Sequence, residues 1–249
     1  MKKPYLFFDA GGTLAFPDFP YIARIASSAG VELSPEQLFK AHCAMILDLD
    51  QRAQSSGHLG DPFPNGYVRT LLDPLVSQPA ILDTIVPLVL ERDRTQSLWT
   101  TTHPWVSATL DSLKAAGYGM SVISNSDGRV GEILSSLGLR PFFDQVFDSH
   151  ALGVSKPSRR IFQIALQTLD IQPEEALYIG DVYYIDVWGA NQAGLGCIHL
   201  DPQEYYQGWP GVHLPTIAHL PAMLAHYRRR PDNFNLHPTR QVTITFDPE

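Results

Sequence analysis

With 249 residues, of which 44% are hydrophobic and 18% charged, the chain is long enough to bury a sizeable core and too poor in charge to be a disordered protein. A formal charge of −8, from 18 basic and 26 acidic residues, argues against a nucleic-acid footprint, whose mark is clustered Lys and Arg; the only dense basic run is Arg228 to Arg230. Cys43 and Cys197 stand far apart, outside zinc or redox spacing, so neither a zinc site nor a disulfide framework is expected, and a reducing cytoplasm fits.

The first residues have the positive start and apolar run of a secretory signal, but Asp9 interrupts the run too early. Tyr5-Leu6-Phe7-Phe8 reads instead as a strand buried on both faces that opens into a turn at Asp9 and two glycines. Ile22, Ile25, Ala26 and Ala29 then recur on one helical face, with Gly30 as a stop. Ser34-Pro35-Glu36-Gln37 is a capping box with proline at the first helical position, ahead of Leu38, Ala41, Met45, Ile46 and Leu49. Residues 57–66 read as a loop, and Tyr67 to Leu75 and Ile81 to Leu90 as further helices, so residues 18–98 contain no expected strand. The apolar stretch near Ala80 to Leu90 holds Asp83 and Pro87 and falls short of the roughly 18 residues of a membrane span, so no membrane partner is expected.

After Trp99 the pattern alternates. A helix from Pro104 to Ala116 leads to a strand over Tyr118 to Ile123, ending at Ser124-Asn125-Ser126. A helix with Val130, Ile133, Leu134 and Leu137 stops at Gly138, and a short strand follows near Gln145 to Phe147. A helix from Ser158 to Leu169 leads to a strand Ala176 to Ile179 before Gly180-Asp181, and Leu195 to Leu200 is the last expected core strand. A final helix is expected near Leu220 to Tyr227. The alternating Val242 to Phe246 is either an edge strand or an association segment. Strands alternating with helices imply parallel pairing through right-handed crossovers, with ligands beyond the carboxyl ends of the strands. The fold class is therefore α/β: a doubly wound parallel sheet with an inserted, smaller all-helical domain.

Asp9, Ser124 and Asp181 all occupy such strand ends. Taken singly, Asp9 before Gly-Gly reads as turn chemistry, Ser124 as a turn residue, Lys156 as a solvated charge and Asp181 as a helix N-cap. Taken together, Asp9-Ala10-Gly11-Gly12-Thr13, Ser124-Asn125, Lys156-Pro157, and Gly180-Asp181 with Asp186 resemble the four motifs of the haloacid dehalogenase superfamily, in order, spacing and placement. The resemblance runs from Tyr5 to about Leu200. It implies a core of residues 1–17 and 99–227, a C1-type cap of residues 18–98, and a tail of residues 228–249.

The resemblance also implies roles. Asp9 would be the nucleophile that forms an aspartyl-phosphate, and Lys156 the fixed positive charge beside it. Thr13, Ser124, Asn125 and Lys156 would bind phosphate oxygens. Asp9, the backbone carbonyl of Gly11 and Asp181 would hold Mg2+, with Asp186 behind them orienting a metal-bound water or Lys156. Phosphatases of the superfamily carry a second Asp as acid and base where this chain has Gly11. The implied function is a Mg2+-dependent phosphohydrolase of a small phosphorylated metabolite with weakened acid/base catalysis, as monomer or homodimer.

Alternatives are dehalogenase-like chemistry, phosphonoacetaldehyde hydrolase-like chemistry, and phospho-ligand or partner binding without turnover. The dehalogenases usually replace the first acid of the last motif, which Asp181 retains. The phosphonate route needs a cap lysine, for which Lys40 is the sole candidate. Arg24, Arg52, His58 and Arg69 are possible cap contacts outside any motif, and Trp99 and Trp105 read as packing residues.

Overall fold

A computed structural model describes residues 3–229 and 231–246. The basic run and the tail extend to positions 230 and 247–249, outside the described residues. In chain order the elements are β1 (Tyr5–Phe8), α1 (Phe19–Ser28), α2 (Pro35–Ser56), β2 (His58–Leu59), α3 (Tyr67–Leu72), α4 (Pro79–Gln96) and α5 (Pro104–Ala115). There follow β3 (Met120–Ser124), α6 (Val130–Ser136), β4 (Val146–Asp148), α7 (Ser149–Leu152), α8 (Arg159–Leu169), β5 (Ala176–Gly180) and α9 (Trp188–Gln192). The chain closes with β6 (Gly196–Leu200), β7 (His213–Leu214), α10 (Leu220–Tyr227) and β8 (Thr245–Phe246).

Six strands form one parallel sheet in the order β4-β3-β1-β5-β6-β7. Successive side chains of a strand face opposite ways, so Leu6 and Phe8 pack with Leu110, Leu134 and Leu224 on one face. Phe7 packs with Phe162, Ala165 and Ala190 on the other. Both faces are covered, which is why the strands read as continuous apolar runs. The register aligns Phe8 with Val122 on one side and Ile179 on the other, so Asp9, Ser124 and Asp181 emerge at the same edge.

Between β1 and α5 runs the helical segment, whose Phe19, Ile22, Leu38, Leu71 and Ile85 form a third apolar cluster. The capping box at Ser34 forms as expected, with Gln37 N donating to Ser34 Oγ and Ser34 N to Gln37 Oε1. Leu49 and Ala53, near the end of α2, belong to the sheet's second cluster, so this helix leans on the core. Helix α4 runs past Leu90 to Gln96, beyond the expected end, since its last turns are polar and carry no apolar period by which to read them.

Three expectations change. The segment 18–98 does contain a strand, the two-residue β2, which pairs in parallel with β8. The alternation near the C-terminus thus adds an edge to the helical segment and not to the main sheet. Leu195 to Leu200 is followed by one more core strand, β7, too short to show a sequence period. Both cysteines are free, and no helix among the described residues is long and apolar enough to cross a membrane.

Candidate active site

Strand β1 delivers Asp9, β3 delivers Ser124 and Asn125, and β5 delivers Asp181, while the loop before α8 brings Lys156 underneath them. After Asp181 a wide π-type turn over Tyr183–Val187 swings Asp186 back toward the strand ends. Two glycines permit this crowding. A methyl group on Gly180 would stand 2.4 Å from the Asp186 carboxylate, and one on Gly12, whose φ is +72°, would stand 2.1 Å from Asp181 Oδ2.

The Lys156 ammonium is the hub. It donates to Asp9 Oδ1 at 2.6 Å, Asp186 Oδ1 at 2.8 Å and the Tyr178 hydroxyl oxygen at 2.9 Å. Tyr178 in turn donates to the Ile123 carbonyl, and Asp186 Oδ2 accepts from Val182 N. Burial disfavours the lysine's charge, but Asp186 and Asp9 override it and hold the ammonium protonated. Burial pushes Asp9 up to about 6, against the pull of Lys156, and lifts Asp181 well above the usual carboxylate range, with Asp9 and Asp186 adding to the rise.

Asp9, Asp181 and Asp186 each place a carboxylate oxygen within 4.8 Å of the others, all buried. Three carboxylates face a single ammonium, and Asp181 makes no ion pair among the described residues. A hard cation suits this excess of buried oxygen donors.

The expected residues do not all play equivalent parts. Asp9, Gly11, Ser124, Asn125, Lys156, Asp181 and Asp186 line one cavity of about 370 Å³. Asn125 clamps the backbone of Lys156, accepting from its N–H at 2.7 Å and donating to its carbonyl at 2.8 Å. Thr13 lies outside that lining, with its hydroxyl 3.5 Å from Asp181 Oδ1. Lys40 is exposed and paired with Glu36 at 2.8 Å, away from the cavity. Arg24, Arg52, His58 and Arg69 also lie off the lining.

Several lining residues escape sequence reasoning. Trp99 packs, as expected, but its ring also walls the cavity against Gly11; Trp105 stacks on His103 outside it. His42, Phe63, Tyr67 and Arg129 join Trp99. Asp50, fully buried on α2, accepts from Tyr183 N, Tyr184 N and the Tyr206 hydroxyl, and so pins the turn that carries Asp186. Its signal was an acid at the Ile46-Asp50-Ala53 spacing, on the apolar face of a helix.

The sequence pattern of the haloacid dehalogenase-like hydrolases matches residues 5–194. The chain belongs to this family. Within these hydrolases, "Haloacid dehalogenase-like hydrolase domain-containing protein 3" of Homo sapiens is 41% identical over 119 residues, covering 45% of this chain and 47% of that protein. "Glyceraldehyde 3-phosphate phosphatase" of Methanothermobacter thermautotrophicus is 38% identical over 96 residues, covering 38% of this chain and 42% of that protein. The chain spans about half the length of the curated relatives it matches. The crystal structure of a 2-haloacid dehalogenase from Pseudomonas syringae pv. Tomato DC3000 superposes with a TM-score of 0.54 at 22% identity, over 91% of this chain and 100% of that one, and shares the fold.

Proposed function

We propose that this hydrolase is a Mg2+-dependent phosphohydrolase acting on a small phosphorylated molecule, with residues 18–98 as a cap over a core of 1–17 and 99–227. The observation that carries the reading is Lys156, whose one ammonium bridges Asp9 and Asp186 at 2.6 and 2.8 Å beside Asp181. A carboxylate next to fixed positive charge at a strand end suits attack on phosphorus. The phosphatase name of the archaeal relative supports the substrate class.

Asp9 would attack the phosphoryl group and carry it as an aspartyl-phosphate, which water then cleaves. Lys156 orients the Asp9 carboxylate and offsets the charge of the phosphoryl oxygens. Ser124 offers a hydroxyl to those oxygens, while Asn125 acts by fixing the Lys156 backbone. Asp9, the Gly11 carbonyl and Asp181 would hold Mg2+, which supplies positive charge to the transferring group, with Asp186 behind them. Gly11 offers no acid or base, a loss worth roughly 10²–10⁴-fold, so good leaving groups are favoured.

Lys40, tied to Glu36 at the surface, gives no support to a Schiff-base route to phosphonates. The test is phosphate release from an aryl phosphate with Mg2+, beside Asp9→Asn and a chelator control. Turnover in wild type alone supports the reading, and equal rates in all three refute it.

A further inference from the structure

Part of the cavity wall is built from rings. Tyr67 lies 5.6 Å from Trp99 and 5.5 Å from Phe63, centroid to centroid, and His42 lies 6.3 Å from Trp99. All four rings line the cavity that holds Asp9, as do Ile46 and Ile133. The volume of about 370 Å³ lies within the range of small-molecule sites, so the substrate has a body besides its phosphate.

That body meets little positive charge. Besides Lys156, the cationic residue on the lining among the described residues is Arg129, and its guanidinium is already taken. Its Nε donates to Asp127 Oδ2 at 2.8 Å, its Nη2 pairs with Asp127 at 2.6 Å and with Asp93 at 3.6 Å, and its Nη1 donates to the Asp93 carbonyl at 2.5 Å. His42 is neutral near pH 7, because burial pushes it down to about 4. A second phosphate or a carboxylate on the substrate would therefore enter the cavity without a free cationic partner.

The chemistry of the leaving oxygen points the same way. With no acid at Gly11 and the Trp99 ring against it, that position supplies no proton to the leaving oxygen. A phenol titrates near 10, as tyrosine does, whereas an alcohol lies near 16 like water, so an aromatic ester tolerates the missing acid far better.

We propose that the substrate is a phosphate monoester of an uncharged, planar aromatic alcohol whose ring seats among Phe63, Tyr67 and Trp99. This rests on the phosphohydrolase reading above and narrows it. An Asp9 oxygen bonds to phosphorus as the phosphorus–aryl oxygen bond breaks, and the phenolate leaves with the bonding pair and takes a proton from solvent. Water then adds to phosphorus, the Asp9–phosphorus bond breaks, and the carboxylate returns as phosphate departs with its proton lost to solvent.

The test compares kcat/KM for 1-naphthyl, phenyl and 4-carboxyphenyl phosphates, which separate ring area from added charge. The expected order is naphthyl above phenyl above carboxyphenyl, with steps of about tenfold or more. Tyr67→Ala should lower the naphthyl value about tenfold more than the value for acetyl phosphate, which has no ring. Equal values for naphthyl and phenyl, or a carboxyphenyl value matching phenyl, overturns the proposal while leaving phosphohydrolase activity in place. Should no ester turn over, the phosphohydrolase reading fails, and the same three compounds are titrated against tryptophan fluorescence. The same order of affinity then upholds the aromatic site, and a different order overturns it.

Discussion

The indole of Trp99 crowds the space a side chain on Gly11 would need: a methyl group there would stand 3.1 Å from Cζ3 and 3.3 Å from Cη2 of the ring, closer than ordinary van der Waals contact. The position that lacks an acid in the first motif is thus backed by a bulky ring from the far end of the helical segment. Replacing Gly11 alone inserts a carboxylate against that ring, so Gly11→Asp should leave turnover of an alkyl phosphate flat or lower it. Gly11→Asp combined with Trp99→Ala should raise it by about tenfold or more. Steady-state kinetics on both variants checks this, and a full gain from the single change would show that the ring moves freely.

Lys156 makes three buried hydrogen bonds, and removing it leaves Asp9 and Asp186 facing each other without a cation. Lys156→Met should cost about 3–5 kcal/mol of stability and most of the activity. Lys156→Arg should not rescue either, since a planar fork cannot replace a point charge with three converging acceptors. Urea titration without added metal reads the first effect, and phosphate release the second.

Much of this site is legible along the chain because motif chemistry sits at strand ends. Asp9, Ser124 and Asp181 each follow a short apolar run, and the parallel register brings such ends together whatever the crossover lengths. The same logic fails for Trp99, His42 and Tyr67, which face the cavity only through the packing of the helical segment on the core. Strands β2 and β7 were missed for a simpler reason, since two residues cannot display a period, whereas β8 lies within the alternating run Val242 to Phe246. Asp50 stood in plain view as an acid on the apolar stripe of α2, but its partners Tyr183 and Tyr206 lie far along the chain.

Asp50 itself is testable. Its carboxylate satisfies two buried backbone N–H groups, and Asp50→Ala orphans both, at a cost of about 2–4 kcal/mol. Because those groups belong to the turn carrying Asp186, kcat should fall more than KM rises. A stability loss with kinetics intact would show that the turn holds its shape unaided.

Burial sets a pH dependence. His42 is pushed down from 6.5 to about 4, so between those values the unfolded chain binds a proton that the folded one refuses. Stability is therefore lost as pH falls from 6.5 toward 4, by about 2 kcal/mol at pH 5 from this residue. His199, pushed down to about 3 by burial and by His213, acts in the same direction. Asp50, pushed up to about 7 by burial, acts oppositely, its contribution fading as pH rises through 7. The difference between wild type and His42→Gln isolates the first: the gap in urea midpoint should shift in the variant's favour between pH 7 and pH 5. A gap that does not change with pH would contradict a neutral, buried His42.

The account rests on Asp9 carrying the phosphoryl group, and the most direct measurement is rapid acid quenching of the Mg2+-loaded protein mixed with an aryl phosphate labelled at phosphorus. Label should appear on the peptide holding Asp9 within the first turnover, vanish as phosphate is released, and be absent from Asp9→Asn. Phosphate release with no label on the protein, or label that persists in Asp9→Asn, would contradict it.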